Sequence, residues 1–224
     1  MTNLFKNKHL VRGALKDVAR CAVMLATVSC GAKQAEQHPT PAPAAPLPTA
    51  GLAGQQVGVL PLTLVAAEDT LHWDALIADR RATLDKCDSI IGALLAGRSP
   101  EVTWIGPAEL RRAARRAPGI ATEPDQMGTA FLRADAVSDV PDPLRYQLRT
   151  LAGLAGGRFA LVPAGLVFRH APGSPPGVAT AELSIVLVDT RVGRVGWRTT
   201  ARGEGLDPWT ALTRAVKSLT PGLP

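Results

Sequence analysis

The chain has 224 residues, 46% of them hydrophobic and 20% charged, which excludes a disordered polymer and provides enough chain for one ordinary domain. Aromatic residues are only 4%, so the core must be largely aliphatic. Much of the formal charge of +6 sits in residues 1–29, where Lys6, Lys8, Arg12, Lys16 and Arg20 face Asp17 alone; the rest is near balance at +2, with no global electrostatic reason to bind nucleic acid.

The amino terminus has the form of an export signal. Residues 1–20 are basic, and Cys21 to Ser29 is an uncharged apolar run. That run is too short for a bilayer span, which takes about 20 residues, but it fits the core of a secretory signal. It ends in Thr27-Val28-Ser29-Cys30-Gly31, which resembles the bacterial lipobox, although Thr27 stands where leucine is usual. The expectation is a signal over 1–29 and lipid attachment at Cys30. Gly31 after the cysteine, in place of aspartate, implies by resemblance the outer membrane. The competing expectation is ordinary cleavage after Ala32 or Ala35, which leaves a soluble periplasmic protein. Residues 30–55 then form a tether. Pro39, Pro41, Pro43, Pro46 and Pro48 hold it near polyproline II, with a reach of at most ~75 Å.

Residues 56–224 are expected to form one α/β (α+β) domain, a mixed sheet packed with helices in the order β-α-β-α-α-β-β-β-α. Gln56 to Leu64 predicts the first strand. Leu84, Cys87, Ile91, Leu94 and Leu95 recur at helical spacing, with Gly97 as a stop. Val102 to Ile105 predicts a short strand, and Pro107 opens a helix over 107–117. Asp142-Pro143 and Asp207-Pro208 each predict a helix start, since aspartate accepts from the first free N–H groups and proline at the first position loses no bond. Arg158 to His170 predicts a strand bulged at Pro163. Ala181–Val188 and Arg194–Ala201 predict a hairpin around Asp189 to Gly193, with Val195, Trp197 and Thr199 on one face.

In that hairpin, Leu187, Val188, Asp189, Gly193, Val195 and Trp197 fit a strand pattern found in bacterial envelope lipoproteins. The group includes the lipoprotein activators of penicillin-binding proteins, the curli-secretion lipoprotein and the amino-terminal domain of TolB. The resemblance covers roughly residues 56–220. It implies a non-enzymatic role in binding, assembly or regulation at the cell envelope. A curli-type pore is disfavoured, because residues 118–142 lack the alternation of a membrane barrel strand.

No cofactor or metal is expected. His72 and His170 stand without a partnering ligand motif, and Cys87 lies on the apolar face of its helix. Asp85 and Asp88 are assigned to the polar side of the same helix. Asp189 is accounted for by turn chemistry. The distinctive surface feature is Arg111, Arg112, Arg115 and Arg116, which share one helix face. A solvated face explains them; so does contact with anionic headgroups, cell-wall carboxylates or an acidic partner. The function read from the sequence is a membrane-tethered module whose partner is an envelope protein or cell-wall component. The alternatives are a soluble periplasmic ligand-binding protein or a hydrolase with an unrecognised site.

Overall fold

Proline chemistry divides the first predicted strand in two. In the computed structural model, which describes residues 49–171, 173–175 and 177–219, β1 spans Gln56–Val59 and β2 spans Val65–Ala67. Pro61 has no N–H to donate, and the N–H of Leu62 turns to the Asp88 carboxylate at 2.8 Å instead of to a neighbouring strand. The signal, Cys30 and residues 31–48 of the tether lie outside the described residues. Residues 49–55 are folded: Leu52 is buried, and the Gly54 N–H donates to the Glu101 carbonyl.

The chain continues through α1 (Asp74–Ile77), α2 (Arg80–Arg98), β3 (Thr103–Ile105), α3 (Pro107–Arg115), α4 (Leu144–Ala155), β4 (Phe159–His170), β5 (Ala179–Asp189), β6 (Arg194–Gly205) and α5 (Pro208–Ser218). The predicted order survives with two additions, β2 and the single-turn α1. Strands β3, β1, β4, β5 and β6 lie side by side in that order, and β2 pairs with the distal half of β4. The pairs among β3, β1, β4 and β2 are parallel, and those of β4 with β5 and β5 with β6 are antiparallel. This is the expected mixed sheet of an α/β fold.

Side-chain alternation sorts the core into two layers. Val57, Val59, Leu161, Leu183, Ile185 and Leu187 point to one face and pack with α2 and α5. Ala160, Val162, Val186 and Val188 point to the other and pack with α3, α4 and the intervening residues Met127, Leu132 and Val140. On the first face α5 comes very close to β6. A Cβ on Gly203 would overlap the backbone of Arg214 and Ala215, so only glycine fits there.

Several local expectations hold. β4 breaks register between Pro163 and Gly165. Asp207 caps α5, accepting from the N–H groups of Trp209 and Thr210 at 3.0 Å each. Separately, Gly156 closes α4 in the left-handed region at φ 79°. Cys87 is a buried thiol, pushed up to about 12 by burial and so held protonated.

Four expectations are corrected. Helix α2 runs through Gly97 to Arg98, and its last turn closes at Ser99, whose N–H bonds Leu95. At α4 Pro143 itself takes the N-cap position, and no side chain caps the helix. Val195 and Trp197 face opposite sides of the sheet: Val188 pairs with Val195 and Leu187 with Trp197, so Gly196 is an extra residue that flips the alternation. Asp88 is buried, not on the polar side of its helix.

Candidate functional site

The sheet has two unlike ends. At the basal end β1, β3 and β4 begin and β5 turns into β6, since Phe159 pairs with both Val57 and Asp189. Helix α4 lies across this end. Its first turn brings Arg145 against Gly193 of the β5–β6 turn, and the glycines that follow it, Gly156 and Gly157, lie against Gln56 of β1. Thr49 also sits here, its hydroxyl bonded to that of Ser99.

A cleft of about 440 Å³ opens at the basal end between the sheet, α3 and the end of α4. Gln56 and Thr103 supply polar groups from the sheet, Leu154 and Ala155 an apolar wall, and Arg112 and Arg116 of α3 their guanidinium groups. Arg112 is exposed and pairs loosely with Glu109 at 3.4 Å. Arg116 is exposed and meets no acid among the described residues. Such a donor set suits a carboxylate or phosphate, because guanidinium groups present paired N–H donors to both. Arg115 is also exposed and lies outside the cleft lining.

Arg111 is placed elsewhere. It points towards the opposite end and donates twice to Asp125, both bonds at 2.7 Å, and once to Asp88 at 3.3 Å. Its side chain is 16% exposed. Arg81 extends the network by pairing with Asp85 at 3.1 Å and approaching Asp125 at 3.8 Å. Burial pushes the Asp88 carboxyl up to about 6, while the Leu62 N–H and Arg111 pull it back towards its ordinary value. Arg111 holds Asp125 below the usual carboxylate range. The network fastens the segment after α3 to α2 and to the end of β1, so Arg111 is structural. Of the four arginines predicted as one patch, the cleft gathers two, Arg115 stands beside them, and Arg111 is spent internally.

The histidines do not converge on these groups. His72 adopts φ 52° at the end of a short turn, and His170 is exposed, its backbone N–H bonded to Glu68. Among the described residues no three metal-binding side chains cluster. At the hairpin turn Asp189 accepts the Arg191 N–H, as its turn chemistry predicts, and it also binds the Arg158 guanidinium.

Sequence reasoning missed the buried Asp88, yet a signal existed. Leu84, Asp88, Ile91 and Leu95 follow i, i+4, i+7, i+11, so Asp88 lies within the apolar stripe. A carboxylate there needs partners, and Leu62 and Arg111 supply them.

No protein-family model matches the chain, and no curated protein does. Among solved structures, the chain is similar to the C-terminal domain of LpoB from Salmonella enterica at 14% identity, covering 67% of this chain and 82% of that one, with a TM-score of 0.35. It is similar to PelC from Paraburkholderia phytofirmans, a dodecamer, at 14% identity over 75% of this chain and 89% of that one, TM-score 0.35. It is similar to a lipoprotein from Neisseria meningitidis at 16% identity over 67% and 83%, TM-score 0.34. One of these neighbours is itself described as a lipoprotein. At such identities no residue's role carries across.

Proposed function

We propose that the chain is a non-enzymatic binding or assembly module of the bacterial envelope, tethered through lipid on Cys30, which engages an envelope protein or cell-wall component. The basal end is its anion-binding face. The observation that carries this reading is the basal cleft, where Arg116 stands open to solvent and Arg112 is held only by an exposed pair with Glu109, while Arg111 is neutralised by Asp125. An exposed guanidinium next to an apolar wall is available to a ligand; a guanidinium in a bidentate pair is not. The signal-like residues 1–29, the lipobox-like Thr27 to Gly31 and the proline-rich tether support the location.

A cleft of about 440 Å³ also has the size of a small-ligand pocket. That is the specific observation favouring the second reading, a soluble periplasmic ligand-binding protein.

Charge reversal separates structure from binding. The Arg112→Glu, Arg116→Glu double variant is expected to fold normally and to lose capture by envelope fractions. Arg115→Ala, outside the cleft, should retain most of it. Unchanged capture by the double variant would overturn the cleft as the binding face. Saturable binding of a small anion to a chain that carries no lipid would favour the second reading.

A further inference from the structure

The basal end is more than the cleft. Arg115, Arg116, Arg145, Arg149 and Arg191 are all exposed, and none of their guanidinium groups meets an acidic side chain among the described residues. They come from three separate stretches of chain: the end of α3, helix α4 and the β5–β6 turn. Only Arg133, among the other described arginines, is similarly left without a partner. The remaining ones pair with acids, as in Arg81–Asp85, Arg169–Glu182 and Arg202–Glu182, or bind carbonyls, as Arg80, Arg198 and Arg214 do; Arg98 is engaged too. Free positive charge is therefore concentrated at one end of the sheet.

Apolar groups are exposed among these arginines. Helix α4 buries Leu144, Leu148, Leu151 and Ala152 against the sheet. Its outer side carries Arg145, Tyr146, Arg149 and Leu154, with Tyr146 62% and Leu154 46% exposed. Val192 at the β5–β6 turn is 47% exposed. Interleaved arginine, tyrosine and leucine on a helix lying across a surface is the composition of the membrane–water interface. There the guanidinium groups meet headgroup phosphates, and the ring and aliphatic groups reach the acyl boundary. A protein partner would use the same residue types, since arginine and tyrosine are also enriched at protein interfaces, so composition alone does not choose between the two.

The chain's own connectivity favours the bilayer. The tether reaches the domain at Thr49, and Thr49 is part of the basal end. Eighteen residues separate it from Cys30, at most ~56 Å as polyproline II. The surface holding the lipid is thus always within reach of this end of the domain.

We propose that the basal end of the domain is itself a membrane-contact surface, taking anionic phospholipid headgroups of the bilayer into which Cys30 is anchored. This rests on reading the basal arginines as an anion-binding face, and it names the anion. The contact turns a domain on a leash into one with a preferred orientation, its opposite end directed away from the bilayer. A lipid chain and a basic patch are the two signals that together give stable attachment.

Arginine footprinting tests this on the mature chain. The protein is mixed with vesicles of phosphatidylglycerol and phosphatidylethanolamine, or of phosphatidylcholine alone, and treated with phenylglyoxal. Modified sites are read by mass spectrometry, and the intact mass reports separately whether Cys30 is acylated. The anionic vesicles are expected to protect Arg115, Arg116, Arg145, Arg149 and Arg191. The protection should vanish with the neutral vesicles and weaken with salt, while Arg133 reacts equally in both. Equal reactivity of the five sites in both vesicles would overturn the proposal. So would protection by an acidic polypeptide without protection by anionic lipid, which would transfer the face to a protein partner. Acylated Cys30 with unprotected arginines removes the lipid contact and leaves the tether standing; an unacylated Cys30 with protected arginines does the reverse.

Discussion

The two ends of the sheet use arginine in opposite ways. At the end towards which β1 runs, Arg111 and Arg81 are locked to Asp125, Asp88 and Asp85, and their charge is consumed in holding one segment to another. At the basal end the guanidinium groups of Arg115, Arg116, Arg145, Arg149 and Arg191 pair with no acid among the described residues. Arg111 and Arg115 lie one helical turn apart on α3, yet they fall on opposite sides of this division. A run of arginines on a helix is therefore not one patch: what each faces decides whether it is structure or surface.

The largest expected effect lies in the paired end. Arg111→Ala strips Asp88 of its cationic partner while leaving the carboxyl buried, and should cost about 3 kcal/mol in a denaturant melt. A loss under about 0.5 kcal/mol would erase the distinction between the two ends.

Next comes pH. The folded Asp88 carboxyl sits at about 6, above its ordinary 3.8, so the folded state holds this proton more tightly. Its contribution is fully present below about pH 4 and is lost as the pH rises through about 6, on the order of 3 kcal/mol. Asp125 is shifted the other way; its contribution is present above its ordinary value and is lost as the pH falls. Asp88→Asn should flatten the stability profile between pH 4 and 6 and leave the acid limb in place. Thermal melts across that range check it, and an unchanged slope in Asp88→Asn would assign the titration to another group.

A smaller effect separates the two Asp-Pro signals. Asp207→Ala removes two cap bonds and should cost about 1 kcal/mol, whereas Asp142→Ala removes none and should be close to neutral. The smallest effect belongs to the open end. Arg115→Gln with Arg149→Gln should change stability by no more than about 0.5 kcal/mol, because neither side chain holds anything in the free protein. Paired with the Arg111→Ala result, this is the sharpest form of the comparison.

Much of the architecture was legible because it rests on short-range rules. The apolar spacing of Cys87, Ile91 and Leu95 places α2, Asp207-Pro208 starts α5, and Pro163 marks the bulge in β4. What escaped depends on partners distant in sequence. Nothing near Leu62 says that its N–H will meet Asp88 across 26 residues, which ends β1 early. Nothing near Gly196 says that it will be the unpaired residue that turns Val195 and Trp197 to opposite faces. The arginine cluster was readable as a cluster, but its division needed Asp125, which reaches Arg111 from a segment without regular periodicity. The gathering of Arg145, Arg149 and Arg191 beside it depends on α4 crossing the basal end, a matter of packing that no local pattern records.

The central claim is a tethered module, and its most direct test is the intact mass and membrane partition of the mature protein beside Cys30→Ala. The expected result is a wild-type chain that begins at an acylated Cys30 and sediments with membranes, and a variant that is not acylated and is released from them at high salt. A wild-type chain that begins after Ala32 or Ala35 and stays soluble would contradict it.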